Sequence, residues 1–166
     1  MLIVKDLLSP KVKTLLEKSI HSELYASNLY KHVANNLQRL GYFGGQKYYL
    51  KESADELTHY QILVDYCNDM GWVAPMPTIE AITNPIFSME DALRYQYEAE
   101  TKLLNDYEEF YDEAEEEDCI TAQFLLQFLE IQRKSVGEVG DLIARYNRCG
   151  MNEAAILEFD EFLGEK

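Results

Sequence analysis

The chain has 166 residues and a formal net charge of −15, from 30 acidic against 15 basic side chains. A surface of that sign repels phosphate backbones and anionic lipid and attracts cations, so neither nucleic acid nor a membrane is an expected partner. The length suits one domain with a sizeable core, and no window approaches the roughly 20 apolar residues of a membrane span.

Pro and Gly are few, 4 and 8. They cluster between about residues 41 and 85 and after Arg148, which leaves most of the chain free to be helical. Ser9 followed by Pro10 is an N-cap and first-turn pair, and the stretch it opens runs without a breaker to about Leu40. Gly41, Gly44 and Gly45 are read as a turn, with a second helix from about Gln46 to a stop at Gly71. So short a turn makes the two helices antiparallel neighbours. Residues 72–87 hold Pro75, Pro77 and Pro85 and are expected to be an extended connection, long enough to cross a bundle from end to end. Ser88 then caps a third helix, with Asp91 at the capping-box position, running to about Glu115. A fourth is expected from near Asp118 to near Asn147. After Gly150, Ala155, Ile156, Phe159, Phe162 and Leu163 keep helical spacing and predict a short fifth helix. The fold class is therefore all-α, a four-helix bundle over 1–149 with one long crossover and a short C-terminal helix over 150–166.

The informative residues are the polar ones inside apolar stripes. Leu16, Ile20, Ser27, Tyr30, Ala34 and Leu37 share a face of the first helix with Glu23 at its centre. A buried carboxylate must be paired or metal-bound, because a lone buried charge costs several kcal/mol. In the second helix, Tyr49, Leu63, Cys67 and Met70 flank Glu56 and His59, an E-x-x-H whose members lie on one helical face and can hold one metal while a carboxylate oxygen reaches another. On the third helix Glu98 and Glu100 project about 200° apart. Glu100 shares its face with Leu93, Tyr97, Leu103, Leu104, Tyr107 and Ala114, whereas Glu98 lies with Arg94, Thr101 and Lys102. On the fourth, Gln132 lines up with Leu125, Leu129, Val136, Val139 and Ile143, and Glu130 falls with Gln123, Gln127, Arg133 and Lys134. The inward residues are thus Glu100 and Gln132.

Any single Glu at a stripe could be a boundary residue that snorkels or pairs with Lys. Three such Glu, each centred in its own helix and one of them opening an E-x-x-H, point to a two-metal site. Three carboxylates and a neutral imidazole nearly neutralise two divalent ions and suit iron or manganese, whereas structural zinc prefers Cys and His. Cys67, Cys119 and Cys149 are odd in number and form no C-x-x-C pair. That suits a reducing compartment, the cytoplasm by default, and neither a zinc ribbon nor a rubredoxin-type centre.

Glu23, Tyr30 seven residues on, Glu56-x-x-His59, Glu100 and Gln132 together resemble the ferroxidase-centre pattern of the ferritins over essentially the whole chain, and most nearly that of non-haem bacterial-type ferritins. Two helical hairpins joined by one long crossover is also the ferritin-like connectivity. The resemblance implies a shell of twenty-four identical subunits that oxidises Fe(II) with dioxygen or peroxide and stores the ferric mineral. It implies one iron held by Glu23, Glu56 and His59, with Glu56 bridging to a second held by Glu100 and steadied by Gln132. Tyr30 is placed beside the pair, as hydrogen-bond partner or one-electron donor, and the fifth helix is directed toward a fourfold axis.

Departures from the relatives are specific. Bacterioferritins carry a second E-x-x-H where this chain has Gln132 and Ser135, and a haem-ligating Met where it has Leu57, so no haem is expected. Ile131, Lys134 and Ser135 stand where many bacterial ferritins place acids of a third iron site. The run from Asp112 to Asp118 reads either as a solvated turn whose acids favour the next helix or as a cation funnel at a threefold pore. A Dps-like protector would want a basic tail for DNA, and a rubrerythrin-like peroxidase a further E-x-x-H. A shell subunit with weak or no catalysis would tolerate a degraded site.

Overall fold

The computed structural model describes all 166 residues and contains five helices: α1 Pro10–Leu40, α2 Phe43–Asp69, α3 Met89–Glu117, α4 Cys119–Asn147 and α5 Glu153–Glu165. α1 packs along α2 and α3 along α4, and residues 70–88 cross between the two hairpins. No helix is long and apolar enough to cross a membrane.

The caps set the helix boundaries. Ser9 Oγ accepts from the Val12 amide, Pro10 occupies the first turn, and Gly41 closes α1 in the left-handed conformation at φ 88°, which a residue without Cβ adopts at no steric cost. At α3 Ser88 Oγ accepts from the Asp91 amide, and Asp91 reaches back to the Phe87 amide. Asp118 alone separates α3 from α4, closing one and capping the other by accepting from the Ile120 amide.

α2 starts at Phe43 rather than near Gln46, so Gly44 and Gly45 are helical and only the segment around Gly41 turns. Tyr42 gives this helix no side-chain cap. Asp160 of α5 supplies one from across the bundle end, its carboxylate accepting from the Gly44 amide at 3.0 Å and the Gly45 amide at 2.6 Å. A Cβ on Gly44 would lie 1.8 Å from the Asp160 carbonyl oxygen. These glycines serve close approach of two helices, and α5 docks where they clear the way.

The core falls into two apolar clusters. One joins Leu16, Leu63, Tyr107, Leu125 and Phe128. The other, at the opposite end, joins Tyr30, Leu37, Tyr49, Met89 and, from α5, Phe159 and Leu163. Between them lies a layer of buried polar side chains: Glu23, Ser27, Ser53, Glu56, Glu100 and Gln132. The serines satisfy one another, Ser27 Oγ donating to the Ser53 carbonyl and lying 2.9 Å from its hydroxyl. The carboxylates and the amide are left facing the bundle axis.

Candidate metal centre

Each of α1, α2, α3 and α4 contributes to this layer near mid-length. Glu23 and Gln132 are wholly buried, and Glu100 and Glu56 keep 1% and 4% of their surface. Glu23, Glu56 and His59 form one group whose candidate ligand atoms all lie within 4.8 Å of one another. His59 Nδ1 is 2.8 Å from Glu56 Oε2 and 3.6 Å from Glu23 Oε2. Glu100 stands outside that group and is held by Tyr30, whose phenol donates to Oε1. Both amide atoms of Gln132 are buried without a hydrogen bond, as are Glu23 Oε2 and Glu100 Oε2.

Glu98 and Glu130 are exposed. Glu130 forks onto Arg133 and pairs with Lys134, and the Arg133 hydrogen bonds hold its carboxyl down at about 2. Tyr97, expected on the face of Glu100, is instead 41% exposed, and Gln96 takes the buried place. The residue four before Glu100 lies about 40° from it around the helix, the residue three before about 60° to the other side, and the bundle interior lies toward the former.

Electrostatics tie the group together. Burial raises Glu56 well above the usual carboxylate range, against the hydrogen bond from His59 and reinforced by the charges of Glu23 and Glu100. Burial likewise pushes Glu100 up to about 7, although Tyr30's hydrogen bond opposes it. For His59 burial favours the neutral ring, but the close approach and charge of Glu23 and Glu56 overcome it and push the imidazole up to about 10. Without a metal, the acids keep a proton on His59 as their counter-charge. A divalent cation entering the group would displace that proton and take over its role.

Two features escaped the sequence reading. Tyr107, read only as part of an apolar stripe, donates its phenol proton to Glu23 Oε1. One turn from the centre, Gln96 Nε2 donates to the Tyr48 hydroxyl at 2.9 Å and to Glu52 at 3.3 Å. Burial raises Glu52 to about 7, aided by the charges of Asp55 and Glu138. The signal for Tyr107 was present in the sequence, since it follows Glu100 by the same seven residues that separate Tyr30 from Glu23. Nothing comparable marks Gln96. A pocket of about 260 Å³ between α2 and α4 reaches the centre from outside, its lining including Glu52, Asp55, Glu56, His59, Lys134 and Glu138.

The family model for the ferritin-like domain matches residues 13–149, and the chain belongs to this family. It is similar to a probable bacterial non-heme ferritin-like protein of Haemophilus influenzae, 26% identical over 159 residues that cover 95% of this chain and 96% of the relative. It is also similar to a bacterial non-heme ferritin of Bacteroides fragilis, 24% identical with 96% and 100% covered. The fold is shared with the open pore ferritin of the archaeon Archaeoglobus fulgidus, with a TM-score of 0.92, 22% identity, and 96% and 99% covered. Family and fold together support iron storage.

Proposed function

We propose that this chain is the subunit of an iron-storing shell and oxidises Fe(II) at a two-iron site within each subunit, with dioxygen or peroxide as oxidant. The observation that carries this reading is the buried polar layer. Four helices each turn a ligand-type side chain inward, and Glu23, Glu100 and Gln132 keep buried atoms there without a hydrogen bond. An orphaned buried carboxylate oxygen is costly, and a bound cation removes that cost. The donor set is oxygen-rich with one imidazole, which suits iron and not structural zinc.

In this reading Glu23, Glu56 and His59 hold one Fe(II), and Glu100 with Gln132 receives a second, with Glu56 between them. Each Fe(II) supplies one electron, so the pair reduces dioxygen to peroxide or peroxide to water. The fixed carboxylates favour the more highly charged ferric product and hold the two ions close enough to react as a pair. The pocket over Glu56 and His59 provides a route for exchange. The assembly is a homo-oligomeric shell of twenty-four subunits, and cytoplasmic residence is supported by three cysteines that are all free.

Stopped-flow absorbance after adding two Fe(II) per subunit in air tests the site. The expected result is rapid ferric absorbance that Glu56→Ala slows by about 100-fold or more, since it removes a ligand common to both irons. Oxidation by the unsubstituted protein no faster than in buffer would reduce it to a storage subunit without catalysis.

A further inference from the structure

The spacing of Glu23 and Tyr30 on α1 recurs in Glu100 and Tyr107 on α3. In the bundle the two pairs are crossed: the Tyr30 phenol of α1 donates to Oε1 of Glu100 on α3, and the Tyr107 phenol of α3 donates to Oε1 of Glu23 on α1. In both carboxylates the remaining oxygen, Oε2, is buried with no hydrogen bond, that of Glu23 lying 3.6 Å from His59 Nδ1. Each acid thus has one oxygen tied to a phenol from the facing helix and one without a hydrogen bond, turned toward the centre. Both phenols are themselves fully buried.

We propose that Tyr107 is a positioning residue for Fe(II) oxidation, the counterpart of Tyr30, holding Glu23 so that it binds iron through Oε2 alone. This rests on the proposed two-iron function. A hydrogen bond to a carboxylate is among the stronger ones a neutral donor makes. An oxygen engaged in one is a poor second ligand to the same ion. Tying down Oε1 on Glu23 and on Glu100 keeps both acids to one metal bond each and leaves a coordination position on each ion for the oxidant. The Tyr107 ring has no freedom to swing away, being stacked on Phe128 at 4.9 Å and 13° and set edge-on to Phe110 at 5.8 Å. The metal side of Glu23 and the aromatic core are therefore joined through one hydroxyl.

Tyr107→Phe keeps the ring and removes only that hydroxyl. The test titrates Co(II), a redox-inert stand-in for Fe(II), into assembled wild-type, Tyr107→Phe and Tyr30→Phe proteins, and follows Fe(II) oxidation in each. Wild type is expected to take up two Co(II) per subunit. Tyr107→Phe is expected to keep that stoichiometry with a weaker visible Co(II) absorption, because the released Oε1 raises the coordination number. Its kcat is expected to fall roughly tenfold with KM changed less than about twofold. A Co(II) spectrum and kcat equal to wild type would make Tyr107 a packing residue and overturn the inference. A wild type that binds no Co(II) would instead overturn the two-iron reading itself. Tyr30→Phe adds a readout that does not require Tyr107→Phe to fold: Zn(II) binding must still give a tyrosine difference absorption from Tyr107, and its absence also overturns the inference.

Discussion

At the scale of single residues the centre is a proton store when it holds no metal. Glu52 and Glu100 titrate at about 7, against 4.5 for an ordinary Glu, and His59 at about 10 against 6.5. All three bind protons more tightly in the folded than in the unfolded chain. The stability contributed by the two carboxyls is complete below 4.5 and lost as pH rises through about 7, while that of His59 is complete below 6.5 and lost as pH rises through about 10. Metal-free protein is therefore expected to melt at a lower temperature at pH 8 than at pH 5.5, as scanning calorimetry can measure. Zn(II), which requires deprotonated ligands, is expected to reverse that trend. A melting temperature of the metal-free protein that rises between these pH values would contradict the assigned environments.

At the scale of elements the least independent part of the molecule is the junction of α2 and α5. α2 opens with two glycines and no cap of its own, and α5 is only 13 residues long. Each completes the other, through Asp160 on the Gly44 and Gly45 amides and Lys47 Nζ on the Gly164 carbonyl at 2.5 Å. The negative carboxylate also lies at the positive end of the α2 dipole. Asp160→Ala is expected to cost about 1–2 kcal/mol, the value of a lost N-cap, in urea unfolding of the assembled protein. Gly44→Ala has a different consequence, because its Cβ would collide with the α5 backbone rather than with a side chain that could move. It is expected to release α5, seen as new proteolytic cleavage near Gly150, with a stability loss of about 1–3 kcal/mol. Cleavage and stability equal to wild type would mean that α5 accommodates the methyl by shifting. In the acidic run, Asp118 caps α4 and Glu117 pairs with Lys11 at 3.2 Å, so its last two residues have a structural use in the bundle.

At the scale of the whole molecule, the apolar side chains left outside the bundle bear on the proposed shell. Leu2, Val4, Val73 and Met76 keep 71% to 101% of their surface exposed. They belong to adjoining segments, since the Leu7 amide donates to the Met70 carbonyl and a Cβ on Gly71 would touch Lys5 and Val4. An apolar surface of this kind on an otherwise acidic chain suits contact with another subunit. Light scattering after size exclusion is expected to give twenty-four times the 19.3 kDa subunit mass. The double substitution Val4→Asp and Val73→Asp is expected to shift that mass to small oligomers, because it adds unpaired charge to the contact. An unchanged mass would place the subunit contact elsewhere.

The sequence by itself determined the number and order of the helices and the inward places of Glu23, Glu56, Glu100 and Gln132. Both follow from local rules: Ser9-Pro10, Ser88 and Gly71 act on their own turns, and the helical period alone separates Glu100 from Glu98 and Gln132 from Glu130. Partners across the bundle were not readable in this way. Whether Gly44 and Gly45 are turn or helix depends on Asp160 over a hundred residues later, and whether Tyr97 or Gln96 is buried depends on where the bundle axis falls. That Tyr107 reaches Glu23 and Tyr30 reaches Glu100 was decided only when α1 and α3 packed together. Periodicity specifies which way a side chain points, and the hydrogen bond it then makes depends on which helix is brought opposite it.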